Sequence, residues 1–328
     1  MTSLSSASTA GGDRPAIPAR ALWLLAALAL FWGANWPMMK IVLNEWNVWH
    51  FRTVSLVGGS ACLFALAKIL GYRLDVPQGE WGRLLWASLF NITGWHIFSG
   101  FGVSLLASGR AAIIGYTMPL WVVPLSMWLL KEPMTRRKVA GLALGFVGLL
   151  LLIGDDLVRL RQAPLGTLSM LAAALSWAIG IVIIKRYPVS MPTTVLTGWM
   201  MLLGAVPVAA GALLFAGSDF HALSPRTWVA LAYVIFVAMV FCHWAFLRLV
   251  TMLPATITGI SSLTVPVVGV FSGMLVLGEQ PGAAEWGALL LILGALAVIL
   301  MPARGGRTAR KRAPDAVQTD PVTTSGKG

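Results

Sequence analysis

Trp81-Gly-Arg-Leu-Leu-Trp-Ala-Ser-Leu-Phe-Asn-Ile-Thr-Gly-Trp-His96 is written a second time in outline, 147 residues on, as Trp228-Val-Ala-Leu-Ala-Tyr-Val-Ile-Phe-Val-Ala-Met-Val-Phe-Cys-His243. Both stretches have an apolar body with a tryptophan at the start and a histidine at the end. The same offset carries Pro119 onto Pro266 and Glu132 onto Glu279. Tryptophan and histidine are scarce residue types, so matches at one spacing point to an internal repeat rather than to chance. Toward the start the offset is 145, pairing Trp32 with Trp177 and Lys40 with Lys185. Past the glutamates it is 146, pairing Gly141 with Gly287 and Gly148 with Gly294. Short insertions in loops produce drift of that size.

The composition fixes the setting of this repeat. Of 328 residues, 58% are hydrophobic and 11% are charged, and the mean hydropathy is +0.81. Soluble domains run at roughly 45–50% apolar and about 25% charged. Ten apolar runs are separated by turn residues and charges. The first five are Leu22–Leu43, Val48–Leu70, Leu84–Leu106, Ala111–Leu130 and Val139–Ile153. The second five are Leu165–Ile184, Val195–Ala216, Trp228–Val250, Ile257–Leu277 and Ala284–Met301. At about 20 residues per membrane span, they leave only short loops and two tails, with no room for a soluble catalytic or nucleic-acid-binding domain. The expected fold is an all-α membrane protein of ten transmembrane helices. The stretch before Arg20 has no apolar core, and the run from Ala21 to Ala34 continues without an evident cleavage site, so it reads as the first span. Cys62 and Cys242 lie inside apolar runs and read as small buried hydrophobes, with no disulfide or metal framework.

The repeat divides the chain into a tail over 1–21, five-span halves over 22–154 and 165–302, and a basic tail over 303–328. An odd number of spans per half makes the second half insert upside down relative to the first. The loop after span four is Lys131-Glu-Pro-Met-Thr-Arg-Arg-Lys138, whereas its partner, Gly278-Glu-Gln-Pro-Gly-Ala-Ala-Glu285, has no basic residue. With both termini on one side, that side holds 18 of the 24 lysines and arginines. The positive-inside rule therefore puts both termini in the cytoplasm. The run Arg304–Arg312 follows the last span directly and reads as a topology anchor touching anionic lipid, not as a nucleic-acid patch. Two inverted five-helix repeats are a signature of secondary transporters, which use them to open a midplane site to opposite sides in turn.

Phe31-Trp-Gly-Ala-Asn-Trp-Pro37 ending near Lys40, Arg52 opening span two, and the paired Pro119-Leu…Leu-Lys-Glu132-Pro and Pro266-Val…Leu-Gly-Glu279 patterns resemble the drug/metabolite transporter superfamily, EamA type. The resemblance covers nearly the whole chain outside the tails. It implies a bacterial cytoplasmic-membrane exporter of small metabolites, often amino acids. Span seven reads Thr197-Gly-Trp-Met-Met201, with Met200 where relatives often carry Gln.

Ionisable groups inside a membrane are candidates for function because placing them there costs several kcal/mol. No Asp or Glu lies in the interior of an assigned span, which argues against a carboxylate proton relay at the midplane. His96 and His243 lie 15 residues past their tryptophans, beyond the middle of their spans, and offer either a substrate partner or a titrating group for proton coupling. The alternative is a neutral histidine bonding a neighbouring helix. Trp32, Asn35 and Trp36 on span one and Trp177 on span six are candidates to line a cavity, Trp32 and Trp36 sharing a face at a spacing of four. Trp46, Trp49, Trp81 and Trp228 read instead as interfacial belts. Tyr116 and, near its repeat position, Ser261 are further binding candidates. Pro119 and Pro266 are candidate hinges, because proline frees a backbone carbonyl. Lys40, Arg52, Arg110 and Arg248 fall at or near span ends, where snorkelling to headgroups is the expectation.

These readings add up to a transporter with no catalytic residues, cofactor or metal. Its partners are a small-molecule substrate, the lipid bilayer and, if the histidines titrate, a proton as coupling ion; the assembly is a monomer or homodimer, with no nucleic acid. The competing classes are a passive channel, for which no selectivity-filter segment is present, and a membrane-embedded lipid-modifying enzyme, for which no nucleophile, metal or phosphate-loop motif is present.

Overall fold

The computed structural model describes residues 19–131, 134–159, 163–217, 222–245 and 264–300, and the elements among them are all helical. The first half holds α1 (Ala19–Leu43), α2 (Val48–Ile69), α3 (Trp81–Ser88), a π-helical segment π1 (Leu89–Gly94), α4 (Trp95–Leu105), α5 (Ser108–Gly115), α6 (Met118–Leu130) and α7 (Arg136–Arg159). After it come α8 (Ala163–Arg186), α9 (Thr193–Phe215), α10 (Pro225–Ala232), a second π-helical segment π2 (Tyr233–Cys242), α11 (Thr264–Leu277) and α12 (Ala283–Leu300). Among the described residues, six helical stretches of 21 to 23 residues are long and apolar enough to cross a membrane, and Val265–Leu277 and Ala283–Val298 are shorter apolar helices.

Local sequence sets the helix ends. Asn47 caps α2 by accepting from the His50 amide at 2.9 Å, and Ser224 caps α10 by accepting from the Thr227 amide at 3.3 Å. Gly71, Gly217 and Gly278 take positive φ just past α2, α9 and α11, where a residue without Cβ closes a helix at least cost. Several boundaries differ from the apolar runs. α7 continues to Arg159, past the apolar run expected to end at Ile153. The run expected at Ala111–Leu130 begins at Ser108 and breaks at Tyr116 and Thr117, so it is two helices in line. The early part of the run expected at Ile257–Leu277 lies outside the described residues.

Packing brings distant helices together. α7 lies along α12, α2 along α9, α4 along α8 and α1 along α11. π1 packs on α8 and α9, whereas π2 packs on α1 and α2. At these crossings a glycine faces a large side chain. A methyl at Gly59 of α2 would stand 2.9 Å from Met239 Cβ of π2, and one at Gly204 of α9 would stand 2.7 Å from Ile92 Cβ of π1. Gly59 and Gly204 are separated by 145 residues and Ile92 and Met239 by 147, the two offsets found in the sequence. Where lipid is as apolar as leucine, such close approach of small residues is what drives helix association.

Gly180 of α8 is the tightest of these contacts to backbone, since a methyl there would meet the Asn91 amide nitrogen and Cα at 2.8 Å. Gly180→Ala is expected to lower stability by about 1–3 kcal/mol through overpacking. Gly82→Ala, at an open position on α3, is the control that should leave stability unchanged. Thermal unfolding of both variants in one detergent tests this, and equal midpoints would show that α8 and π1 can part freely.

Candidate functional site

A cavity lies where α1, α2, α4, α8, π2 and the break between α5 and α6 meet. Trp32, Asn35, Trp36 and Met39 enter it from successive turns of α1, because they recur at spacings of three and four. Arg52 comes from α2, Trp95 and His96 from α4, Tyr116 and Met118 from either side of the helix break, and Trp177 from α8. Met239 of π2 and His243 just beyond it complete the wall. Its free volume is about 70 Å³, room for a few waters. A metabolite-sized pocket runs to a few hundred Å³, so the walls have to part before a metabolite fits.

Seven of the residues singled out as binding candidates meet there: Trp32, Asn35, Trp36, His96, Tyr116, Trp177 and His243. Ser261 lies outside the described residues. Pro119 is the second residue of α6, directly after the break at Tyr116 and Thr117, and Pro266 is the third residue of α11. Both open a helix, a position that suits a residue without an amide proton. Met200 does not line the cavity. The neighbouring Trp199 is turned away and donates its indole N–H to the Leu74 carbonyl at 2.7 Å.

The aromatic walls are organised by edge-to-face contacts. Trp32 meets His243 with ring centroids 5.6 Å apart, and Trp95 meets Trp177 at 5.0 Å. His243 Nδ1 lies 2.9 Å from the Ala238 carbonyl. A carbonyl only accepts, so Nδ1 carries the proton and Nε2 of the neutral ring is left as an acceptor. His96 is 2% exposed and its Nδ1 has no hydrogen-bond partner among the described residues. Asn35 Oδ1 is likewise buried without one, while Asn35 Nδ2 reaches Met39 Sδ at 3.1 Å. Buried polar atoms left unsatisfied are rare enough to ask for an explanation.

Arg52 overturns its sequence reading. A cation in the second turn of α2 is expected to anchor at headgroups, yet the side chain is 1% exposed and points into the bundle. Its Nε donates to the His96 carbonyl at 3.0 Å, and Nη2 donates to Ser99 Oγ at 2.9 Å and lies 3.8 Å from Met39 Sδ. His96, Ser99 and Gly100 form one face of α4. Gly100 lets α2 approach α4, since a methyl there would lie 2.5 Å from Val48 Cγ1 and 3.3 Å from Arg52 Nε. The amino-acid order around Arg52 holds no sign of this burial, which the helices across the bundle impose.

Polar ties close one end of the bundle, the end that carries the turns after α1, α4, α9 and α11. Lys40 does not snorkel; its ammonium donates to the carbonyls of Val103, Ser104 and Leu106 at 2.8–2.9 Å and so caps α4. Glu279 accepts from the amides of Ser108 and Gly109 at 2.6 and 3.0 Å, capping the start of α5 where a carboxylate suits the helix dipole. Glu45 accepts from Ser224 and Thr227. Arg110, also expected to anchor at headgroups, pairs with Glu285 at 2.8 Å and is buried. Trp46 is buried against Trp228 and His50 rather than facing lipid, whereas Trp81 and Trp228 are exposed in the manner of a belt. Arg248 and Glu132 lie outside the described residues.

Comparison with known proteins gives the fold and site a context. The model of the EamA-like transporter family matches residues 19–154 and again 164–301. An uncharacterized transporter, YoaV, of Bacillus subtilis is 27% identical over 84% of this chain and 92% of its own length. A probable amino-acid metabolite efflux pump of Salmonella typhimurium is 26% identical over 88% of this chain and 97% of its own. The uncharacterized inner membrane transporter YedA of Escherichia coli is 25% identical over 84% of this chain and 89% of its own. A crystal structure 22% identical in sequence covers 85% of this chain and 96% of its own with a TM-score of 0.62, which shows a shared fold.

Replacing the Glu279 carboxylate with an amide weakens two charge-assisted bonds, each worth about 1.5–3 kcal/mol. Glu279→Gln is therefore expected to speed hydrogen exchange at Ser108 and Gly109 by about tenfold or more while leaving α2 unaffected. Unchanged exchange across 106–112 would show that the α4–α5 junction holds without this cap.

Proposed function

The chain belongs to the EamA-like transporter family, and we propose from that premise that it exports a small metabolite, an amino acid or related compound, across the bacterial cytoplasmic membrane by alternating access. The homologues are transporters rather than enzymes, and two of them are named as probable amino-acid metabolite efflux pumps. In this reading ten helical passes form two inverted halves, residues 22–154 and 165–302, with both termini in the cytoplasm. The observation that carries it is the shared cavity: Trp32 and His96 from the first half face Trp177 and His243, their repeat equivalents, from the second. A site built by both halves changes its exposure when one half rocks against the other.

The tied end bearing Lys40, Glu45, Glu279 and Arg110 is, in this topology, the outer face, closed in the state seen here. Opening it requires these bonds to exchange for water, and Pro119 and Pro266 stand at helix starts where the bundle can bend. His96 and His243 would contact substrate or carry the coupling proton, and the protein would work as a monomer or homodimer.

Reconstitution into liposomes tests the function directly. Saturable, protein-dependent exchange of at least one labelled amino acid is expected, and its response to an imposed proton gradient reports coupling. His96→Ala and His243→Ala should each lower that exchange by at least tenfold in folded protein, since each removes a polar contact from the cavity. Wild-type exchange rates in both variants would remove the histidines from the mechanism. No movement of any amino acid by folded wild-type protein would overturn the substrate class.

A further inference from the structure

The cavity carries one strongly basic group and nothing of opposite charge. Among the described residues no carboxylate reaches Arg52, whose three bonds go to a backbone carbonyl, a serine hydroxyl and a thioether sulfur. All three acceptors are neutral. The two hydrogens on Nη1 meet no acceptor among the described residues. The Phe51 ring adds a cation–π contact, with Cζ 4.7 Å from its centroid. A guanidinium that is 1% exposed and has dipoles and one aromatic face but no anion beside it is still expensive in a protein interior and more so within a membrane. The planar fork of arginine matches a carboxylate through two parallel bonds, a geometry that lysine cannot supply.

The symmetry of the cavity makes this arginine conspicuous. Trp32 and His96 have counterparts in Trp177 and His243, so aromatic and imidazole groups face the cavity from both halves. Among the described residues the remaining polar groups of the wall come from the first half. The repeat position of Arg52 is Thr197, that of Asn35 is Gly180, and that of Tyr116 is Leu263. The described wall is thus more polar on its first-half side, which gives a bound molecule a direction.

Resting on the exporter reading above, we propose that Arg52 is the carboxylate subsite of this cavity. The transported molecules are small monocarboxylates with an apolar or aromatic body. The carboxylate lies on the Arg52 fork, between α2 and α4. Asn35 Oδ1, buried and without a partner, accepts from a donor such as an α-ammonium. The body lies among Trp95, Trp177 and Met239. One cation in the wall selects a single negative charge, because a dianion such as a phosphate ester would leave a charge unpaired.

The test uses wild-type protein in liposomes exchanging a labelled pool of the proteinogenic amino acids, challenged by unlabelled acids and by their amides and decarboxylated amines. The free acids should compete at least tenfold better than their uncharged or decarboxylated analogues, the loss expected when one charge-assisted interaction is removed. Equal competition by acid and amide overturns the assignment even if every variant of Arg52 fails to fold. Arg52→Gln, checked for monodispersity, should lower acid exchange by about tenfold to a hundredfold and bring the acid-to-amide preference close to one. Arg52→Lys should keep part of the preference. A folded Arg52→Gln protein that still prefers the acid also overturns the assignment. Absence of all exchange by the wild type would sink the exporter reading instead, which keeps the two failures apart.

Discussion

The interaction on which the rest depends is the crossing of each π-helical segment with a pair of helices from the far part of the chain. A π segment shifts the hydrogen-bond ladder by one residue and leaves backbone carbonyls in need of partners. In a membrane those partners cannot be water. The crossing helices supply some of them: Ser176 of α8 donates to the Phe90 carbonyl of π1 at 2.7 Å. Reciprocal bonds tie the pairs further. Thr93 of π1 donates to the Gly204 carbonyl of α9 at 3.0 Å, and Tyr233 of π2 donates to the Phe31 carbonyl of α1 at 2.9 Å. His243 is the first residue after π2 and His96 the second after π1. The register shift that the crossings demand also decides which way these two histidines face. Packing and site geometry therefore share one cause.

The same constraint explains why the cavity is nearly symmetric in shape and not in chemistry. Glycines at the crossings, and the apolar bodies opposite them, have to be present in both parts of the chain for the helices to approach. Residues in the wall are free of that demand. Arg52 and Thr197 occupy matching turns of α2 and α9, yet one is a long cation and the other a small hydroxyl residue. On the reading proposed above, the repeated scaffold would supply the two states of a carrier, and the wall residues that the repeat leaves free would supply recognition.

Much of the helical organisation is legible in the amino-acid order alone. Scarce residues at fixed spacing, Trp32 with Trp177 and His96 with His243, survive in a background of interchangeable apolar residues. The aromatic lining is visible for that reason. Three things are not. π-helical segments have no sequence mark, since Leu89–Gly94 reads as ordinary apolar helix. The break at Tyr116 and Thr117 lacks a glycine, and Pro119 sits three residues after its start. Arg52 and Lys40 stand near span ends, where composition alone makes headgroup contact the default. Their actual partners lie more than 40 and 60 residues away, at His96, Ser99, Val103 and Leu106. Spacing along one helix carries no information about such contacts.

The two kinds of charged group in the molecule differ in what they do to a conformational equilibrium. Lys40, Glu45, Glu279 and Arg110 lie at the end of the bundle, where water replaces their bonds when the end opens. The net difference is then about 1.5–3 kcal/mol per bond, the usual range for bonds to charged groups. A gate made of such bonds holds one state without locking it. Arg52 is different because it lies inside, where the closed bundle keeps it 1% exposed. Its charge is a standing cost until an anion arrives. A ligand shifts an equilibrium only by its difference in affinity between states. A carboxylate bound to this arginine gains most where the surrounding aromatic wall excludes water, because the attraction strengthens as the local dielectric falls. If the cavity works as proposed above, the closed state is therefore the one that such a ligand favours, and a loaded carrier would pass through it more readily than an empty one. An arginine with no carboxylate beside it would then be a physical means of coupling the turnover of the two halves to the presence of cargo.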